Sequence, residues 1–198
     1  MLVNITYILS AYLIGSLSAA IIVCKLMGLK DPREGGSKNP GATNVLRLHG
    51  KTAGILSLMG DLFKGVIPVL IARYSDTPDW VVALSGLAVF LGHLFPVFFN
   101  FKGGKGVATS LGVLLATSWL LGLSFMLTWV TVASISRYSS LAGMTAALCL
   151  PIFALWLTSN IAYPFVFLIM AIFLITRHQQ NIKRLLAGTE SKIGQKKV

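Results

Sequence analysis

The stretch Val107-Ala-Thr-Ser-Leu-Gly-Val-Leu-Leu-Ala-Thr-Ser-Trp-Leu-Leu-Gly-Leu-Ser-Phe-Met-Leu-Thr-Trp-Val-Thr-Val-Ala-Ser-Ile-Ser136 runs for 30 residues without a charge. As one helix it would be about 45 Å long at the usual rise, against a hydrocarbon core of about 30 Å. The run must therefore tilt steeply or fold into two short helices. Ser118 and Gly122 are weak helix formers, so a turn near Thr117–Gly122 is expected. Short helices that span only part of a bilayer are tolerated where they pack inside protein.

Outward from this run, the rest of the chain has the same character. Of 198 residues, 55% are apolar, mean hydropathy is +0.78 and only 12% are charged, about half the share of soluble domains. A soluble globule could not hide that much apolar surface, and disorder needs low hydrophobicity. Further apolar runs cover Leu2–Cys24, Gly54–Ile71, Trp80–Phe101, Leu141–Leu157 and Ile161–Thr176. No charge precedes Lys25, so the first run lacks the basic start of a signal peptide and reads as a retained helix. The expected fold is all-α: one polytopic membrane bundle over residues 1–198, with no second domain.

The charges set the count and the orientation. Lys25–Lys51 holds six Lys/Arg, and so does the tail from Arg177. The connections at 101–106 and Arg137 are basic, whereas Tyr74–Asp79, the Ser118 break and the Asn160 break carry no Lys or Arg. Basic and non-basic connections alternate if the 30-residue run is two helices. Only Lys64 and Arg73 fall outside the basic set. The positive-inside rule then gives seven transmembrane helices, with five as the runner-up count, the N-terminus outside and the C-terminus cytoplasmic. The net charge of +11 belongs to these loops and to anionic lipid or substrate, not to nucleic acid. Cys24 and Cys149 lie in apolar runs and suggest neither a metal site nor a disulfide framework.

Four polar clusters fall on the cytoplasmic face of this topology, in loops 25–53, 101–109, 137–142 and 177–198. The first reads Asp31-Pro-Arg-Glu-Gly-Gly-Ser-Lys-Asn-Pro-Gly-Ala-Thr-Asn44, followed by Arg47. Its glycines, short polar side chains and cations suit a nest for an oxyanion or a solvated turn. The second, within residues 92–109, sets Lys102-Gly-Gly-Lys-Gly106 directly before an apolar helix. That is a layout for phosphate at a helix N-terminus, although it lacks the Ser/Thr and glycine spacing of a Walker A loop. The third is Arg137-Tyr-Ser-Ser140. In the fourth, Arg177–Glu190, His178 and Asn181 share a face at i, i+3, and Leu185 and Leu186 suit a membrane surface. Asp61 and Lys64, one turn apart within a span, are expected to pair. His93 reads as a packing histidine.

Taken together and in order, residues 36–44 with Arg47, 92–109, 137–142 and 177–194 resemble the bacterial acyl-phosphate:glycerol-3-phosphate acyltransferases, the PlsY family, over essentially the whole chain. The resemblance implies a multi-pass enzyme of the bacterial inner membrane with its active site facing the cytoplasm. It implies transfer of a fatty acyl group from acyl-phosphate to the 1-hydroxyl of sn-glycerol 3-phosphate, giving lysophosphatidic acid and phosphate, with neither a metal nor another cofactor. Its partners would be those two substrates, membrane lipid and the enzyme that makes acyl-phosphate.

Residue by residue, the resemblance implies catalytic roles for Ser37, Arg47, Lys105, His178 and Asn181. Asn39, Thr43, Asn44, Gly103, Gly104, Gly106, Ser139 and Ser140 would bind substrate, and Glu190, like Asp61 and Lys64, would be structural. The proton acceptor could be His178 or the donor's own phosphate. An acyltransferase of the His-x4-Asp type is excluded, because Gly54, Phe98 and Lys183 stand five residues after the three histidines. A phosphate-solute transporter fits less well, since no internal repeat is present and the polar residues crowd one side.

Overall fold

The computed structural model describes residues 2–195, and all regular structure among them is helical. The helices are α1 (Leu2–Gly15), α2 (Ala19–Leu26), α3 (Ala42–His49), α4 (Lys51–Tyr74), α5 (Asp79–Leu94), α6 (Val107–Thr117), α7 (Trp119–Ser136), α8 (Ser139–Leu157), α9 (Ala162–Arg177) and α10 (Gln179–Leu186), with a single 3-10 turn at Val97–Phe99. Four segments are long and apolar enough to cross a membrane: α4, α5 continued through the 3-10 turn, α7 and α8. Two bent pairs, α1 with α2 and α9 with α10, raise the number to six if each is one span, and α6 is a shorter apolar helix. The chain is thus a multi-pass helical membrane protein. Helices satisfy their own backbone hydrogen bonds, which is what a bilayer interior demands.

The 30-residue run does break, and at the expected place. Thr117 ends α6, Ser118 is extended (φ −157°, ψ 127°) and Trp119 opens α7. The same residue divides the chain into two compact units, Met1–Thr117 and Ser118–Val198.

The first unit packs α1 on α5 and α4 on both α5 and α6, with α2 and α3 also lying against α4. In lipid, helix association depends on close packing of small residues, and the α4–α6 crossing shows it. A methyl at Gly65 would meet the Thr109 carbonyl, and one at Gly112 would meet the Leu62 carbonyl. The second unit packs α7 on α8 and α8 on α9.

Two local outcomes differ from the sequence reading. The first span, expected to be unbroken, bends by 46° between Gly15 and Ala19. Ser16 Oγ donates back to the Tyr12 carbonyl at 2.9 Å, a bond that competes with the helical ladder and bends helices. The Leu17 carbonyl at this bend accepts Lys64 Nζ at 2.7 Å. The loop 25–53 is also less open than expected, because Ala42–His49 forms α3 within it and α4 begins at Lys51.

The two cations that break the charge alternation both have local work. Lys64 serves Leu17 and lies 2.9 Å from Asp61 Oδ1. Arg73 Nη1 donates to the Ala116 and Thr117 carbonyls at 3.0 and 2.9 Å. Those carbonyls end α6 and have no intrahelical donor, so the short helix receives its cap from a neighbour's guanidinium.

Candidate active site

In the first unit, the loop leading into α3 is organised by one amide. Asn44, 2% exposed, accepts the Ser37 N–H on Oδ1 at 3.0 Å. Its Nδ2 donates to the Pro32 and Gly35 carbonyls at 2.8 and 3.2 Å. Asn44, expected at the substrate, is therefore a strut that ties Ser37 to the helix carrying Arg47 one turn later. Ser37 and Asn39 are half-buried, and Thr43 and Arg47 are exposed. Asp31 clamps the loop entrance by pairing with Arg33 at 2.7 Å. Hydrogen bonding from Arg33 holds the Asp31 carboxyl below its usual range despite partial burial. The Arg33 guanidinium lies 5.9 Å from the Phe99 ring centre, so loop 25–53 meets the 3-10 turn that leads into loop 101–109.

The glycine loop rests on the end of α5. Gly104 N donates to the His93 carbonyl at 3.1 Å, so this N–H, expected to face phosphate, is turned inward. A methyl at Gly103 would stand 2.6 Å from the Leu94 carbonyl oxygen and from Pro96 Cδ, and a methyl at Gly104 would land on the His93 imidazole. Gly106 has φ +92°, a conformation that favours glycine. Gly103, Gly104 and Gly106 are buried, while Lys105 is half-exposed. The glycines thus let the loop sit flat on α5. Lys102 is exposed and Lys105 half-exposed beside the start of α6, whose first N–H groups have no acceptor within the helix.

In the second unit, Glu190 is a hub. Its Oε1 accepts Ser140 Oγ and Asn181 Nδ2, each at 2.6 Å, and its Oε2 accepts Arg184 Nε at 2.7 Å. Ser140 stands in the first turn of α8, where a carboxylate is favoured by the helix dipole. Burial pushes the Glu190 carboxyl up, but the three hydrogen bonds and the Arg184 charge outweigh it and leave the carboxyl below its usual range. The returning segment is pinned again where Ile193 N donates to the Arg137 carbonyl at 2.7 Å and Arg137 Nη2 donates to the Ile193 carbonyl at 3.0 Å. Between Ser139 and Ser140, the second is committed to Glu190, and Ser139 is the half-exposed one. His178, 3% exposed, stands at the 58° bend between α9 and α10. Its Nδ1 lies 2.8 Å from the Leu174 carbonyl. A carbonyl only accepts, so Nδ1 carries a proton, and in the neutral ring the lone pair is on Nε2.

Because its folded pKa is depressed, Glu190 contributes stability above the ordinary glutamate range. That contribution fades as pH falls through the range and is gone below the folded value. Glu190→Gln should lower the melting midpoint at neutral pH and flatten its fall between about pH 6 and pH 3. A variant melting curve parallel to wild type across that window would remove Glu190 as the titrating hub.

A membrane bundle carrying basic and glycine-rich loops beside helix N-termini is built for an anionic substrate that reaches the bilayer surface. The sequence model of the glycerol-3-phosphate acyltransferase family matches residues 5–188, and the chain belongs to that family. A glycerol-3-phosphate acyltransferase of Burkholderia ambifaria is 56% identical over 96% of this chain and 90% of its own length. One from Methylococcus capsulatus is 53% identical over 95% of both chains. Among solved structures, the glycerol 3-phosphate form of PlsY, an integral membrane glycerol 3-phosphate acyltransferase, matches with TM-score 0.91 and 42% identity. It covers 97% of this chain and 96% of that one. The lysophosphatidic acid form of PlsY matches with TM-score 0.89 and 41% identity.

Proposed function

We propose that this chain moves a fatty acyl group from acyl-phosphate to the 1-hydroxyl of sn-glycerol 3-phosphate, releasing lysophosphatidic acid and inorganic phosphate. The observation that carries this reading is the match, over 97% of the chain at 42% identity, to a structure in its glycerol 3-phosphate form. The glycerol hydroxyl oxygen bonds to the acyl carbon, the bond from that carbon to the phosphate oxygen breaks, and the hydroxyl proton leaves to a base. His178 Nε2 has the lone pair for that role, and the departing phosphate is the other acceptor. Arg47 and Lys105 neutralise the phosphates, and N–H groups at the start of α6 stabilise developing charge. Ser37 and Asn39 orient substrate, with Thr43, Gly103, Gly104 and Gly106 lining its place in the first unit, and Ser139 is the substrate-binding serine of the second. Asn44 and Ser140 act by holding Ser37 and Glu190, and Asn181 acts from the Glu190 hub.

Acyl-phosphate is a mixed anhydride with a good leaving group, so direct transfer needs less activation than from an ester. The test is purified protein supplied in turn with acyl-phosphate, acyl-CoA and acyl-carrier protein. Lysophosphatidic acid is expected from the first alone. Activity only with a thioester removes the donor assignment, and movement of glycerol 3-phosphate into sealed vesicles without a donor favours a transporter.

The same reading places seven spans (the four long segments, the two bent pairs and α6) in a bacterial inner membrane, with the N-terminus outside and the active site cytoplasmic. An enzyme producing acyl-phosphate at that face is the expected partner. The local roles of Lys64 and Arg73 support this topology by removing its two exceptions. A cysteine at Asp76 should react with an impermeant reagent in intact cells, and cysteines at Lys38 or Lys192 should not. Labelling at Lys38 from outside would invert the orientation.

A further inference from the structure

His93 has no part in the transfer proposed above, yet it bridges a membrane-buried carboxylate and the glycine loop. It is 6% exposed. Its Nδ1 lies 3.4 Å from Asp61 Oδ1, the oxygen that Lys64 Nζ approaches at 2.9 Å. The opposite edge of the ring faces Gly104, where a methyl would stand 2.7 Å from Cε1. The His93 carbonyl holds the Gly104 N–H. The Thr109 hydroxyl, in the first turn of α6, donates to the Asp61 carbonyl at 3.1 Å. One residue of α4 therefore touches both the histidine under the loop and the helix that follows the loop. An apolar side chain would fill the space under Gly104 without desolvating an imidazole, so packing alone does not account for a histidine here.

We propose that His93 is a positioning residue. Oriented by Asp61, its ring and carbonyl fix the Gly103–Lys105 backbone and so set Lys105 and the α6 N-terminus at the spacing that takes the phosphate of glycerol 3-phosphate. This rests on the reaction proposed above. A displaced cradle weakens substrate binding, while the reacting groups on other elements stay in place once substrate is bound.

The test varies glycerol 3-phosphate in the acyl-phosphate assay for wild type, His93→Ala and His93→Asn. Asparagine keeps an amide nitrogen for Asp61 but takes the ring away from Gly104. Both variants should raise the KM for glycerol 3-phosphate about tenfold or more, with kcat within about threefold and the KM for acyl-phosphate within about twofold of wild type. His93→Asn should recover most of any melting-midpoint loss seen in His93→Ala without recovering KM, a split that a purely structural role would not give. KM does not depend on the amount of enzyme, so membranes with a small folded fraction suffice. An unchanged KM in His93→Asn, or a loss confined to kcat, overturns the proposal. The wild type in the same assay reads the proposed reaction itself, so a failure of that reading is seen there, not in the ratio of variant to wild type.

Discussion

Asp61→Ala should leave little folded protein in the membrane. Asp61 is 2% exposed and Lys64 7%, and their charged atoms are 2.9 Å apart. Removing the carboxylate strands an ammonium within a span, and breaking a buried pair in this way costs about 3–5 kcal/mol. That is a large share of a typical folding free energy of about 5–15 kcal/mol. The same substitution takes the partner from His93 Nδ1. Lys64→Met should be harmful for the mirror reason, and it also uncovers the Leu17 carbonyl at the bend between α1 and α2. Removing both charges in Asp61→Ala with Lys64→Met should recover much of the loss, because apolar replacement of a whole buried pair is often near neutral. Melting midpoints of the two single variants and the double give the coupling directly. Strict additivity, or a single variant as stable as wild type, would show that the pair does not hold the fold.

What the sequence made legible follows the range of the forces involved. The break at Ser118 was readable because length and bilayer thickness are in conflict over 30 residues, and no distant contact is needed to see it. The pairing of Asp61 with Lys64 was readable because they are one turn apart and a lone charge is costly there. The bend at Ser16–Ser18 is not legible in the sequence. Its stabilising partner, Lys64 on the Leu17 carbonyl, is 47 residues away, and an apolar run carries no trace of it.

The polar clusters were found from composition, but their internal hydrogen bonding was not. Asn44 reads as one more short amide until its three bonds to the loop backbone are seen. The glycines of 103–106 read as free N–H groups, whereas burial on α5 turns the Gly104 N–H toward His93. His93 reads only as a packing histidine because its link to Gly104 crosses a turn with no periodicity. The available signal was Asp61, a carboxylate at membrane depth that draws polar partners from neighbouring helices. Only the resemblance gives Glu190 a structural role in the sequence, since its donors, Ser140 on α8 and Asn181 and Arg184 on α10, converge on it only in the folded unit.

Ser37→Ala should lower kcat about a hundredfold or more, the scale of losing one hydrogen-bond donor to developing charge. Ser37 could act in two ways, by orienting phosphate or the donor carbonyl, or by attacking the donor and carrying the acyl group itself. The alanine variant loses activity either way, so it decides only that the hydroxyl matters. Attack by Ser37 needs a base. The histidine nearest in sequence is His49, and its Nε2 lies 2.9 Å from the Lys30 carbonyl, so that nitrogen donates, the ring is anchored there, and only Nδ1 is left to accept a proton. The Ser37 backbone is fixed by Asn44 instead, an arrangement that aims a hydroxyl without raising its nucleophilicity. Direct transfer then requires both substrates on the enzyme together. Initial rates with both substrates varied should give intersecting lines, and acyl-phosphate alone should leave the protein unmodified. Parallel lines together with an acyl adduct on Ser37 by mass spectrometry would replace direct attack with a two-step route. The overall reaction would survive that result, but the acyl group would then rest on the serine before it reaches the glycerol hydroxyl.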